Sequence, residues 1–284
     1  MDGEILSAIL QVSLLVFVVS SMLAMGLSLT VGQIIEPLRS VRLVLIALVA
    51  NFIAVPLIGW GIGELLSLDE GLAIGLTIMA AAAGAPFLPK LAAAAQGDMA
   101  FSVGLMVLLM VVTVGYMPVV LPLLIDGVDV DPAAIASSLI FLMLLPLAIG
   151  LVVRWRYEST AEGLQPLMTQ TSTIAIAALL AAGVIVNFDD IVDLIGTGGF
   201  IAIVLFLAIS GAIGYVGGGS DPGTRSVLGL GTAQRNLSAA LVVAGQNFSD
   251  TPGVLTFIIV AGIVGLIVLL PAAGEIGNRT AAAS

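Results

Sequence analysis

AAAGAPFLPKLAAAAQGD, residues 81–98, lies within an apolar run yet carries Gly84, Pro86, Pro89 and Lys90. Each proline removes a backbone donor and clashes with the preceding turn, so a helix through this stretch opens between about Gly84 and Pro89. Lys90 then falls in the first turn of a second half-helix. A second run, GLGTAQRNLSAALVVAGQN over residues 229–247, is loosened by Gly229 and Gly231 and sets Gln234, Arg235 and Asn236 in succession. No helix face holds three successive residues, so this segment is also expected to break. Lys90 and Arg235 are the two basic residues within long apolar stretches; Arg39, Arg42, Arg154, Arg156, Arg225 and Arg279 fall in short polar breaks or the tail. A cation at the centre of a bilayer helix costs about 2.5–3.5 kcal/mol on insertion scales, so the pair points to a binding site at membrane depth.

Composition sets the class. The chain of 284 residues is 60% hydrophobic and 9% charged, with mean hydropathy +1.23. Most helices would lack a polar face, which excludes a soluble globule. A crossing needs about 20 apolar residues, so the length allows about nine or ten. Cysteine and histidine are both absent, removing disulfides, thiol chemistry and the commonest metal ligand. Paired intramembrane carboxylates are lacking too, so general acid–base catalysis has no agents and an enzyme is not expected. No cofactor and no nucleic-acid partner are expected. The acidic start, Met1 to Glu4, is unlike a cleavable signal peptide.

Reading from polar break to polar break gives an all-α membrane protein of about nine transmembrane helices. They cover 5–29, 42–66, 70–96, 98–125, 132–155, 164–187, 197–219, 225–247 and 252–273, with Pro132 and Pro252 at helix starts. All six loop or tail arginines then lie on one face, which the positive-inside rule makes cytoplasmic. The other face carries acidic loops, Asp126 to Asp131 and Asp189 to Asp193 among them. This places the chain in the inner membrane, with the amino terminus outside and the carboxyl terminus in the cytoplasm. Trp60, Trp155 and Tyr157 suit interfacial anchoring, and Met99, Met106, Met110 and Met117 suit core packing. The two broken segments align loosely, Lys90-Leu91-Ala92-Ala93-Ala94 with Asn236-Leu237-Ser238-Ala239-Ala240, and each precedes one more long apolar helix. Paired broken helices in two halves are the sequence mark of a transporter's substrate site, here with one repeat over 1–126 and another over 132–273 of a single domain, 1–284.

Short motifs then line up in order: Met25-Gly26-Leu27-Ser28-Leu29 at a helix end, Ala50-Asn51-Phe52 with Pro56, Gln96-Gly97-Asp98, Ser102, and the run from Gln234. On these the chain resembles the bile acid:sodium symporter superfamily, the bacterial relatives of the apical sodium-dependent bile acid transporter. The resemblance implies an inverted-repeat transporter with core and panel domains and two discontinuous crossing helices, here the third and eighth, and a chain lacking the family's first helix. It also implies sodium sites, and there the chain departs. Leu88 and Pro89 stand for the family's Ser and Asn, Leu230 for its Glu and Met106 for a Thr; Ser102 and Gln234 remain, with Asn51 a shorter amide. Leu, Pro and Met side chains offer no hard oxygen.

The expected function is therefore secondary transport of a small organic anion by alternating access, with Lys90 and Arg235 in place of the sodium sites. Gly84, Pro86, Pro89, Asn51, Gln234 and Asn236 complete the substrate-binding set. Two fixed cations and half-helix N-termini favour a carboxylate or sulfonate. One alternative keeps sodium symport through Ser102, Gln234 and freed carbonyls. Another, from a different class, is a receptor or pigment protein with Lys90 as a cofactor Schiff base. It lacks aromatic walls and a nearby acid.

Overall fold

The computed structural model describes residues 3–35, 39–125, 131–186 and 188–283; among these all regular structure is helical. Seven helices are long and apolar enough to cross a membrane: Ala8–Ser28, Val41–Leu65, Met99–Leu124, Pro132–Arg156, Glu158–Ile185, Gly199–Gly217 and Val254–Ala282. The predicted third and eighth segments, expected to break, are two pairs of half-helices, so the count of continuous long helices is seven among the described residues. We label the helices α1 (Gly3–Ser28), α2 (Val31–Ile35), α3 (Val41–Val49), α4 (Val55–Leu65), α5 (Glu70–Ala81), α6 (Leu88–Ala94), α7 (Met99–Leu124) and α8 (Pro132–Leu139). The chain continues as α9 (Leu145–Arg156), α10 (Glu158–Val186), α11 (Phe188–Gly196), α12 (Gly199–Gly217), α13 (Pro222–Ala233), α14 (Leu237–Asn247) and α15 (Val254–Ala283).

Two crossings carry a widened π turn, Ala50–Ala54 between α3 and α4 and Ile140–Leu144 between α8 and α9. In both, a proline (Pro56, Pro146) opens the next helix, and the missing N–H removes one α-type bond there. The first π turn matters most, because it holds Asn51 in the protein interior. One group of helices is built on α1, which lies along α9 and α10; Gly26 and Gly150 let the α1 and α9 backbones touch, a Cβ on Gly26 meeting the Leu147 carbonyl at 2.3 Å. The other packs α4, α7 and α15 around α5, and α12 against α13.

Several boundaries differ from the sequence reading, each for a physical reason. The first break covers residues 82–87, and Pro89 lies inside α6, at its second position, where a proline loses no bond. Pro252 is followed by Gly253 at φ +85, so α15 begins two residues later than Pro252 suggested. That helix also continues to Ala283, through Pro271, and carries Arg279 in an i,i+4 pair with Glu275 at 2.8 Å rather than in a loose tail. The sixth crossing begins at Glu158, where Glu158 and Glu162 meet Arg154 of the preceding helix at 3.0 and 3.3 Å. Residues 189–193, expected as a loop, lie in α11; the loop at 126–130 lies outside the described residues. The short helix α2 was not foreseen, although Thr30 and Gln33 form the capping box that starts it. Met106, Met110 and Met117 are buried as expected, whereas Met99 is exposed; Trp60, Trp155 and Tyr157 are all exposed.

Candidate functional site

Half-helix α5 ends at Ala81, with its last carbonyls facing the protein interior. Such oxygens cannot be left bare at membrane depth, where each orphan costs several kcal/mol by rough estimate. The Arg235 side chain meets them. Its Nε donates to the Met79 carbonyl at 3.0 Å and its Nη2 to the Ala80 carbonyl at 2.7 Å. Its Nη1 donates to Asn51 Oδ1 at 2.8 Å and to the Thr232 carbonyl at 3.3 Å. Thr232 lies in the last turn of α13, so the guanidinium bridges the C-terminal ends of two half-helices. Each end carries roughly −0.5 elementary charge, together about −1, which opposes the single positive charge without a carboxylate. Arg235 is only 4% exposed and Asn51 fully buried.

Asn51 is held in turn. Its Nδ2 donates to Ala47 O at 3.0 Å and to Thr232 Oγ1 at 3.3 Å, which fixes Oδ1 toward the guanidinium. The π turn sets this side chain inward, and Tyr116 closes it from α7 by donating to the Phe52 carbonyl at 2.6 Å. The non-helical break after α5 is clamped from the same helix: Thr113 Oγ1 accepts from Ala83 N and donates to Ala83 O, both at 3.0 Å. Gly84 follows with φ +80, and a Cβ there would stand 2.2 Å from Met110 N, so no other residue fits. The Asn236 amide donates to Ala82 O at 2.8 Å, tying the two breaks together.

On the opposite side of the second break, α14 begins. Asn236 caps it, its Oδ1 accepting from Ala239 N at 3.1 Å. With the Asn236 amide already spent on Ala82, Leu237 and Ser238 keep the helix's remaining orphan N–H groups. Three buried polar atoms here have no partner: Gln234 Oε1, Asn236 Nδ2 and Ser238 Oγ. Lys90 is placed differently from Arg235. It stands on the first turn of α6, exposed, its Nζ 5.2 Å from the Phe87 ring centroid and without an ion pair among the described residues. Pro86 and Pro89 frame that turn at intermediate burial. The structure thus joins Arg235, Asn51 and the first break, sets Gln234 and Asn236 beside them in sequence, and leaves Lys90 outside this hydrogen-bonded set. Ser102 is buried in α7 and donates back to Met99 O at 2.7 Å, with no bond linking it to Gln234.

Residues 14–194 match the family described as the Sodium Bile acid symporter family. The chain belongs to this family. Two relatives extend the similarity beyond the matched region. A protein of Arabidopsis thaliana described as the probable sodium/metabolite cotransporter BASS3, chloroplastic, is 24% identical over 254 residues, 86% of this chain and 59% of its own length. The uncharacterized sodium-dependent transporter YocS of Bacillus subtilis is 23% identical over 241 residues, 82% of this chain and 74% of its own length. The chain spans about three fifths of the length of the Arabidopsis relative, and membership together with the seven long apolar helices makes it a multi-pass membrane protein of a symporter family.

The matched region contains Asn51 and the first break but stops short of Arg235, so the family profile does not reach the guanidinium. Thr232, Thr113 and Tyr116 are the site residues that the sequence reading passed over. A signal existed for two of them. With Ser102, Thr113 and Tyr116 are the only polar side chains on the 26-residue α7, and polar groups in such helices bond to neighbours.

Proposed function

We propose that the protein is a secondary transporter that moves a small organic anion by alternating access, with the Arg235 guanidinium standing where a coupling cation would be held. The observation that carries this reading is the ligand set of that guanidinium. Three backbone carbonyls at half-helix C-termini and one amide oxygen are the acceptors a transporter of this kind presents to a monovalent cation. The residues fit sodium in type, but Arg235 already takes their lone pairs. A tethered cation does this without leaving, so the cycle needs no sodium.

The anion is assigned to the other side of the second break. The N-terminus of α14 offers orphan amides, the Asn236 and Ser238 side chains and a positive dipole end, which together favour a carboxylate or sulfonate. Gln234 completes the polar lining. Arg235 has four of its N–H groups on protein acceptors, so it contributes charge rather than a bidentate fork. Lys90, exposed on α6, supplies a second positive charge. Gly84, Pro86 and Pro89 keep the break open so that α6 and α14 begin where they do. We place the protein in the cytoplasmic membrane with its amino terminus outside, from the arginine distribution. Rocking of the α1–α9–α10 group against the rest would expose the site to each side in turn.

Sodium symport is the second reading. It is favoured by the unpartnered Gln234 Oε1, which could serve a cation with Ser102. Uptake of a panel of carboxylates and sulfonates into proteoliposomes tests the first reading. Lys90→Gln and Arg235→Gln each lose uptake; unchanged uptake in both variants ends it.

A further inference from the structure

In an α-helix each carbonyl accepts from the N–H four residues on. For Phe52 that donor would come from residue 56, and Pro56 has none; a proline ring also crowds the carbonyl four residues back. The π turn at Ala50–Ala54 relieves this, with Val55 N donating to Ala50 O, five residues earlier. The Phe52 carbonyl is met from α7, where Tyr116 Oη donates to it at 2.6 Å and the two rings pack with centroids 4.8 Å apart.

Asn51 is the residue before Phe52 and belongs to the same turn, fully buried. Its bonds to Arg235 Nη1 at 2.8 Å and Thr232 Oγ1 at 3.3 Å depend on the rotation of the helix at this point. A π turn holds one residue more than an α turn, so closing it to α geometry rotates α3 and Asn51 against α4 by up to about 100°. That carries Asn51 away from the guanidinium. The Asn51 Nδ2 bond to Ala47 O lies within the same helix and turns with it, so it does not fix the rotation. Pro56 and Tyr116 do. Helix α7 supplies its part in register, because Thr113, one turn before Tyr116 on the same face, grips Ala83 just past the carbonyls that Arg235 takes. The second π turn, Ile140–Leu144, has Pro146 at the same spacing but only apolar residues, so there the same geometry orients no polar side chain.

We propose that Tyr116 and Pro56 are positioning residues, which together fix the rotational register that aims Asn51 at Arg235. A double-mutant cycle, read by thermal melting in detergent, tests this without any transport. Asn51→Ala lowers Tm in the wild-type background. Tyr116→Phe keeps the ring against Phe52 and loses the hydroxyl; Pro56→Ala restores the N–H. In either background Asn51→Ala costs about half as many degrees or fewer, because Asn51 has already left the guanidinium. An equal loss of Tm in all three backgrounds overturns the proposal, since a purely structural tyrosine or proline acts independently of Asn51. Initial uptake per folded molecule in proteoliposomes is the second readout, and it alone rests on the transport function proposed above. Tyr116→Phe and Pro56→Ala each lower uptake at least about tenfold, the shift that loss of one hydrogen bond to a charged group gives, although Pro56→Ala favours a helix. Wild-type uptake in either variant also overturns the proposal. A wild-type protein that moves none of the anions sinks the transport function instead, and the melting cycle still decides the positioning.

Discussion

Arg235→Ala removes the guanidinium and nothing else that these oxygens rely on. Met79 O keeps a longer bond from Ala82 N at 3.2 Å, but Ala80 O, Thr232 O and Asn51 Oδ1 lose their partner. An unsatisfied buried acceptor costs about 1–3 kcal/mol, so three cost about 3–9 kcal/mol. The emptied cage is then a set of hard oxygens at two negative dipole ends, able to take a sodium ion. At a sodium concentration a hundredfold above the dissociation constant, binding returns about 2.7 kcal/mol. For a chain of this size that is about 5–10 °C in Tm. Thermal unfolding in detergent, followed in sodium chloride and in choline chloride at equal ionic strength, makes the comparison. The variant melts well below the wild type in choline and recovers part of the difference in sodium, while the wild type melts alike in both. A variant indifferent to sodium, or a wild type that gains as much from it, would refute the assignment of the guanidinium to a cation's place.

Three other substitutions separate the parts of the site. Lys90→Gln costs at most about 1 kcal/mol of stability, because the side chain is exposed and loses only its contact with the Phe87 ring, yet it lowers anion uptake in proteoliposomes. Thr113→Val strips both hydrogen bonds from the Ala83 peptide and costs about 2 kcal/mol or more, read as a lower Tm. Gly84→Ala forces a side chain into the left-handed region against the α7 backbone; it lowers folded yield in detergent, by more than about 1–3 kcal/mol of strain. Gly32→Ala, with nothing within 4 Å of the added carbon, serves as a control that leaves yield unchanged.

Much of this arrangement is legible in the sequence because membrane helices announce themselves by length. The breaks show for the same reason: Gly84, Pro86 and the Gln234-Arg235-Asn236 run cannot continue an apolar helix. The partners of Arg235 were not legible. Three of its four acceptors are backbone oxygens, and carbonyls of Met79, Ala80 and Thr232 have no side-chain signature. The sequence reading treated Arg235 and Lys90 as one pair because both lie near breaks. Burial separates them, since a cation beside freed carbonyls is drawn inward whereas one on the first turn of α6 meets no such oxygens. The partners of Asn51 were equally hidden: they lie 181 and 184 residues away in sequence, at Thr232 and Arg235.

The account turns on whether transport needs a mobile cation. Uptake of a radiolabelled organic anion into proteoliposomes, measured with an inward sodium gradient and again with choline throughout, tests this most directly. Equal initial rates are predicted, since the positive charge at the half-helix ends is covalently part of the protein. Uptake that collapses in choline would contradict it and restore sodium as the partner ion.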